Sequence, residues 1–588
     1  MKEKWVVSMK KASFQKLGDI FHLDPVLIRL MRNREVFTEE DEKTVGENGR
    51  TLAENKIEKF LYGGLQDLYD PERMKDLPRA AEILREAIET GKRIRIIGDY
   101  DIDGIMSTYI LLRGLRLLGA DVDYCIPERI RDGYGLNENL VRRAKEDGRE
   151  LLLTCDNGIS AAKQIELAGE LGLTTIVTDH HQVPYEEVDG EIRYILPPAA
   201  AVVDPHRADC SYPFEGLCGA GVAFKLICHL YDLFRIKHAQ EEKEELLEFA
   251  AFATIGDVME LKDENRILVR EGLRRLRRTK NPGMQELIRQ NNLEMDQIDT
   301  YHIGFVLGPC LNASGRLDTA SRALEMLLSD SRERAAALAG ELIALNASRK
   351  EMTLEGTEQA IRLVENSELL EDRVLVVYLP DCHESLAGII AGRLKEHFHR
   401  PSFVLTRTEE GVKGSGRSIE NYSMYEELLK CKELLTKFGG HPMAAGISLP
   451  EENVDIFRRK LNSMCTLTEN DMIPKLKIDI PMPVSYIHEG LIKQMELLKP
   501  FGNGNEKPLF AERQLHASAP RIMGKNRNAA KTMLSSGNGC SIEGLYFGDA
   551  EGFAAYLEEH SEITCAYFPT INEWRGRITL QVNITSYQ

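Results

Sequence analysis

Three carboxylates alternate at Asp99, Asp101 and Asp103 within the segment GDYDIDG, residues 98–104. In an extended loop that spacing sets them on one side, where like charges repel unless a cation neutralises them. Coordination of a hard divalent metal is the economical explanation. Asp156 opens the segment DNGIS directly after LLLTC; taken alone, it could equally cap the helix that follows. Asp179-His180-His181 adds one imidazole suited to a metal, a second suited to a phosphate or water, and a carboxylate able to orient a ring. Together these residues specify a mixed Asp/His site that fits Mn2+ or Mg2+ and disfavours structural zinc. Two such ions about 4 Å apart stabilise both the attacking and the leaving oxygen of an in-line displacement at phosphorus. The expected reaction is hydrolysis of a phosphodiester or phosphoanhydride.

The elements around these residues say how they would meet. Short β-branched runs at 93–97, 122–126, 151–155, 174–178 and 200–204 alternate with amphipathic helical segments, the pattern of an α/β domain whose parallel sheet is covered by helices. GDYDIDG, DNGIS and DHHQVP each follow one of the strands, and in an open α/β sheet such loops converge on one crevice. Residues 1–85 are mixed and helical in tendency and read as a packing segment, and 86–330 hold the catalytic α/β domain. Residues 331–366 are rich in helix formers and predict a connecting helix roughly 50 Å long. A second α/β lobe is expected over 367–465, with the glycine-rich pieces GSGRS and FGGHPMAAG, and a β-rich barrel or sandwich over 466–588.

Composition narrows the class. A chain of 588 residues exceeds one core and suggests about four domains. At 43% hydrophobic and 29% charged it is an ordinary globular protein, neither fibrous nor low-complexity. No apolar run approaches the roughly 20 residues of a membrane span, and no secretory stretch follows the first residues, so a cytoplasmic location is expected. The eleven cysteines lack any CxxC spacing and read as reduced thiols. A net charge of −18 argues against nonspecific coating of nucleic acid but leaves room for a local basic channel. The basic stretch LRRLRRTK, 273–280, reads equally as a DNA contact or as an amphipathic surface helix.

DYDIDG, CDNG, TDHH and IGDVMEL resemble the successive motifs of the DHH phosphoesterase family, and FGGHPMAAG resembles its DHHA1 domain. LYDPERMKDLPRAAE, VVDPHRADCSYPFEGLCGAGVAFKL, GPCLNASGRL, PFGNGNEKPLF and NEWRGRITLQV extend the likeness over nearly the whole chain, to the branch of bacterial single-stranded-DNA exonucleases. The resemblance implies that Asp101, Asp103, Asp156, His180 and Asp257 hold two Mn2+ or Mg2+ ions, with Asp156 as a bridge and Asp99 as a further ligand. His181 would face the scissile phosphate. Asp257 comes from the resemblance alone, since IGDVMEL reads as an ordinary helix exit. By the same route Asn312, Arg316, His383, Arg417, Ser418 and His441 would hold substrate phosphates. A C-terminal OB fold would bind the strand through Arg521, Lys525, Arg527, Lys531, Trp574 and Arg575. The chain departs from the family at His383-Glu384-Ser385-Leu386-Ala387-Gly388, where HEGVVG-like sequence is common, and at Cys310, where an Arg is common.

The implied activity is 5′ to 3′ hydrolysis of single-stranded DNA to mononucleotides in repair and recombination. Single-stranded DNA is the implied partner, with single-strand-binding protein and a RecQ-type helicase as plausible protein partners and no membrane. The rival within catalysis is a phosphodiesterase of short oligonucleotides or cyclic dinucleotides; such enzymes usually lack a C-terminal strand-binding module. A manganese pyrophosphatase ranks behind it for want of the second lobe. A noncatalytic DNA-binding scaffold would have lost ligands, and every acidic and histidine position stands.

Overall fold

The computed structural model describes residues 3–46, 48–128, 135–188, 190–409, 411–537, 539–574 and 576–588. The catalytic domain is built on five parallel strands, ordered Val122–Cys125, Ile94–Ile97, Leu151–Cys155, Thr174–Thr178, Ala201–Val203. Ile94–Ile97 and Leu151–Cys155 are buried throughout, as strands covered on both faces must be. The first strand in sequence lies between the second and third, so the direction in which strands are added to the sheet reverses between Ile94–Ile97 and Leu151–Cys155. Loops leaving the carboxyl ends of strands at such a switch point diverge and leave a crevice. GDYDIDG and DNGIS flank it.

Helix Ile102–Leu117 leaves the first loop and is buried along most of its length beneath Gly219–Leu233 and Ala239–Gly256. In the last of these, Glu248 is buried and accepts a 2.5 Å hydrogen bond from the Thr279 hydroxyl. Burial pushes its carboxyl up to about 7. The folded state therefore holds a proton that the unfolded chain releases near pH 4.5, and this group's contribution weakens as pH rises from about 4.5 to about 7. Glu248→Gln keeps an acceptor for Thr279, and thermal unfolding is expected to show it more stable than wild type by about 1–2 kcal/mol at pH 8 and indistinguishable at pH 4.5. Equal shifts at both pH values would refute this.

Helix Leu77–Glu89 runs across the boundary expected at residue 85 and buries Leu77, Ala80, Leu84 and Ala87 in the catalytic core. The connecting helix is Arg332–Glu365, its first turn capped by the Ser331 hydroxyl. Leu338, Ala339 and Leu342 belong to the catalytic core, and Ala360 and Val364 to that of the second lobe. One rigid rod thus anchors in both. The second lobe has a mixed sheet ordered Lys437–His441, Ala444–Leu449, Gly411–Arg417, Ser402–Thr408, Leu375–Tyr378, with helix Ala387–Phe398 against it.

The C-terminal module is a seven-stranded sheet that closes where Phe510–Ala517 pairs with Ala529–Ser535. The segment up to the end of helix Leu52–Tyr62 folds onto this module, whereas Met74 belongs to the catalytic core. Strand Lys4–Val7 runs parallel to Lys475–Ile478, and Leu27, Ile28, Met31 and Ile57 share one core with Phe510, Tyr567 and Val582. The N-terminal packing segment expected from sequence is therefore half of a joint module with the chain's far end. No helix among the described residues is long and apolar enough to cross a membrane.

Candidate metal centre

Strand ends deliver Asp99, Asp101, Asp103 and Asp156, and backbone donors hold Asp101 and Asp103. Asp101 caps helix Ile102–Leu117, accepting from the Asp103 and Gly104 amides at 3.0 and 3.1 Å. Asp103 is fully buried and accepts from the Gly219 and Ala220 amides at 2.6 and 2.8 Å, the positive end of helix Gly219–Leu233. Position 219 must be glycine for this approach: a Cβ there would lie 2.8 Å from Asp156 Cβ and 3.0 Å from Asp103 Oδ2. Asp156 follows its strand at φ +60, a left-handed turn that Asp and Asn tolerate better than most residues.

His180 Nε2 lies 3.0 Å from Asp156 Oδ1, 3.4 Å from Asp103 Oδ2 and 3.9 Å from Asp257 Oδ2. Asp257 sits at the C-terminal cap of helix Ala239–Gly256. Three overlapping sets each keep their ligand atoms within 4.8 Å of one another: Asp99, Asp101 and Asp156; Asp103, His180 and Asp257; Asp156, His180 and His181. Asp156 and His180 each belong to two sets, the arrangement expected for neighbouring ions that share ligands.

The electrostatics favour a bound cation. Asp99 is buried, and neither carboxylate oxygen has a hydrogen-bond partner among the described residues. Burial, then the charge of Asp101, pushes its carboxyl up to about 8. Burial and Asp103 do the same to Asp257, also to about 8, and burial with the neighbouring acids raises Asp156 well above the ordinary range. Buried carboxylates this close cannot all ionise unless a positive ion shares the space. The donor set, carboxylate oxygen with imidazole, suits Mn2+ or Mg2+.

Asp179 has a different task. Its oxygens accept from the Ile159, His180 and His181 amides, and Oδ1 lies 2.7 Å from His181 Nδ1. Burial opposes its charge, yet these bonds hold its carboxyl below the ordinary value. Burial likewise opposes a charge on His181, and the bond to Asp179 outweighs it, raising the ring to about 9. In the metal-free cluster the bond to Asp179 thus favours the protonated ring of His181, part-exposed beside Asp156.

The residues expected to hold substrate phosphates divide. Asn312 Oδ1 accepts from the Ile102 amide at 2.9 Å, so this side chain fixes the first acidic loop. Arg316 Nη1 donates to the Ser385 carbonyl at 2.9 Å and ties the two lobes. Gly315 beside it lets the helix approach the first acidic loop, because a Cβ there would lie 2.3 Å from the Tyr100 carbonyl oxygen. His383 Nδ1 lies 2.7 Å from Ser385 Oγ, and Arg417 packs against Gly388. Between the lobes lies a cleft of about 440 Å3 lined by Tyr100, Ser385, Lys413, Ser415 and Lys437. His441 is exposed at the end of its strand. Ser418 is buried, and its hydroxyl donates to the Tyr422 carbonyl at 2.5 Å, holding a turn.

In the C-terminal module Arg521 and Lys531 face each other across adjacent strands. Lys531 pairs with Glu543 at 2.5 Å and Arg527 with Glu551 at 2.8 Å, so these two cations are partly neutralised by neighbours. Lys525 lies in the turn between the strands, Trp574 is in the strand Glu562–Trp574, and Arg575 lies outside the described residues. LRRLRRTK is largely engaged internally: Arg274 pairs with Glu271, and Arg277 donates to the Ile298 carbonyl. Sequence reading passed over Asp204, which is fully buried behind Asp179 with one oxygen unpartnered. Its signal was present, since the fifth strand run also ends on an acid. Lys413 and Lys437 were passed over too, being isolated lysines in glycine-rich strands.

A crevice of acids and imidazoles at the switch point of a parallel sheet, facing a second lobe, places the protein in the DHH class of phosphoesterases. Models of the DHH family N-terminal domain match residues 93–255 and of the DHHA1 domain 371–466, and a model of the RecJ OB domain matches 478–586. The chain belongs to the RecJ family. It is 38% identical over 89% of its length to the single-stranded-DNA-specific exonuclease RecJ of Bacillus subtilis, spanning 65% of that protein. It is 35% identical to the Escherichia coli protein of the same name, covering 87% of this chain and 90% of that one. Among solved structures, RecJ of Thermus thermophilus in complex with Mn2+ superposes with a TM-score of 0.81 at 28% identity, over all of this chain and 79% of that one.

Proposed function

We propose that this chain is a divalent-metal-dependent exonuclease that degrades single-stranded DNA from the 5′ end to mononucleotides, in the cytoplasm, during repair and recombination. The observation that carries the reading is the overlapping ligand sets around Asp156 and His180, facing the second lobe across a cleft in a chain that also carries the RecJ OB domain. Asp99, Asp101, Asp103, Asp156, His180 and Asp257 would hold the ions. When bound, the ion pair makes a water acidic enough to react at neutral pH and offsets the charge developing at phosphorus. His181, oriented by Asp179 through Nδ1, would donate to a nonbridging phosphate oxygen. Lys413 and Lys437 line the cleft and attract the phosphates of the incoming strand, while Arg316 fixes the lobes so that the cleft keeps its width. Single-strand-binding protein and a RecQ-type helicase are the partners we propose.

A phosphodiesterase of short oligonucleotides has no use for a barrel of this size beyond the second lobe. The two readings separate with Mn2+ present and a single strand blocked at its 5′ or its 3′ end, with duplex and a dinucleotide as comparators. Mononucleotide release stopped by the 5′ block alone is the expected result. Cleavage confined to the dinucleotide would replace this reading with the short-oligonucleotide one.

A further inference from the structure

Two large aromatic side chains stand in solvent on the helix that carries Asn312 and Arg316. Tyr301 is 60% and Phe305 68% exposed, and their rings stack at 5.1 Å with an interplanar angle of 28°. The spacing of four residues puts both on one face. The helix is wound as a π-turn over Ile303–Leu307, between Thr300–His302 and Gly308–Leu317. π-turns are rare and occur frequently at functional sites.

The position of this face is informative. At one end the Thr300 hydroxyl donates to the Phe501 carbonyl at 2.6 Å, in the segment leading into the barrel. Phe501 lies edge-on to Phe568, and Lys507 Nζ sits 4.0 Å over the Phe568 ring. At the other end Gly308, one helical turn beyond Phe305, abuts Ile102 between Asp101 and Asp103, and the same Ile102 abuts Gly256 next to Asp257. Beside Asp257 stands Val258, a β-branched residue at φ +58 with its side chain 66% exposed. That conformation is costly, and it is held by Asn503, whose side chain donates to the Val258 carbonyl at 2.8 Å.

We propose that Tyr301 and Phe305 are a stacking platform for the bases of a single strand, set where it passes between the C-terminal barrel and the metal cluster. The inference rests on the exonuclease reading and names how that site holds its polymer. Flat exposed rings accept any base on their π-faces, and base–aromatic stacking tolerates sequence. The platform adjoins a cation-and-aromatic surface on the barrel side, and its helix packs through buried Gly308 onto Ile102 of the first acidic loop. A duplex, whose bases already stack on each other, gains nothing from it.

The test uses the full-length chain with Mn2+ and three substrates: a 20-mer of thymidylate, the same length with abasic spacers at all but the two 5′-terminal positions, and a dinucleotide. Tyr301→Ala/Phe305→Ala is expected to raise KM on the thymidylate 20-mer about 10–100-fold, with kcat within about twofold and dinucleotide kinetics unchanged. Wild type should show a comparable rise on the abasic strand, and the double variant no further rise. Tyr301→Phe should restore wild-type KM, since a ring suffices. An unchanged KM in the double variant, or a wild type indifferent to base removal, would overturn the platform while leaving the exonuclease reading intact. Failure of wild type to degrade any 20-mer would instead remove that reading.

Discussion

Asp156→Asn is expected to lower turnover on single-stranded DNA by at least about 10^3-fold, and to raise the unfolding temperature of the metal-free protein. Both effects come from the same carboxylate. Asp156 belongs to two of the three ligand sets, so losing its charge weakens the hold on both ions and the electrostatic stabilisation they would bring to phosphorus. Asparagine keeps the left-handed backbone at φ +60 and remains within reach of His180 Nε2, now 3.0 Å from Oδ1. The fold is therefore retained.

The gain in stability follows from repulsion. Burial, then the charges of Asp103, Asp101 and Asp99, raises the Asp156 carboxyl well above its ordinary range. At pH 8 in a chelator the folded state must either ionise Asp156 beside its neighbours or hold a proton there that the unfolded chain releases. Asparagine avoids both costs and should add about 1–2 kcal/mol, seen as a few degrees in thermal unfolding. Mn2+ at a hundred times its dissociation constant should then add about 2.7 kcal/mol to wild type and much less to the variant, so the two melting curves cross as metal is titrated. Turnover above a tenth of wild type, or a variant less stable than wild type in chelator, would show that Asp156 is a structural cap only.

How far the sequence carried this reading depends on how local each cause is. The acids at Asp99, Asp101, Asp103 and Asp156 and the pair His180-His181 follow strand ends directly, so periodicity and loop chemistry place them in one crevice without knowledge of the rest. Asp257 sits at a helix end, where a carboxylate is common for local reasons, and only its tertiary approach to His180 distinguishes it. Ser418 illustrates the opposite case, because serine beside arginine in a glycine-rich piece suits an anion, while the choice of the Tyr422 carbonyl depends on how the chain returns. In the C-terminal module the strands Arg521–Met523 and Ala529–Ser535 were not foreseen, since their basic and small residues lack clear alternation. The joint core of the two chain ends was invisible for a stronger reason: its contacts, such as the Asp24 amide with the Gln494 side chain, join segments separated by nearly the whole sequence.

Among the contacts that attach that joint core to the catalytic domain, Arg266 makes the most hydrogen bonds, and Arg266→Met should cost about 3–5 kcal/mol. Arg266 is buried in helix Asp263–Leu276. Its guanidinium lies 3.8 Å from the Phe60 ring centroid and donates to four carbonyls: Phe60 and Leu498 at 2.8 Å, Leu497 at 2.9 Å and Lys499 at 2.8 Å. Phe60 lies in the last turn of helix Leu52–Tyr62, and Leu497 and Leu498 end the short helix Glu496–Leu498. The cation therefore closes the negative ends of one helix from the N-terminal segment and one from the C-terminal segment. Burial, with Arg270 and Arg34 nearby, pulls its pKa down to about 9, which leaves it charged at neutral pH. Methionine fills the volume but strands four acceptors away from water, each a penalty of about 1–3 kcal/mol before relaxation. Because those acceptors belong to the joint module, the loss should appear as earlier unfolding and faster proteolysis near residues 62–70 and 497–505. Activity on a long strand should fall further than activity on a dinucleotide, which has no need of the barrel. A variant within about 1 kcal/mol of wild type, cut no faster by protease, would mean that the joint module is held by its other contacts, among them Thr300 to Phe501 and Asn503 to Val258.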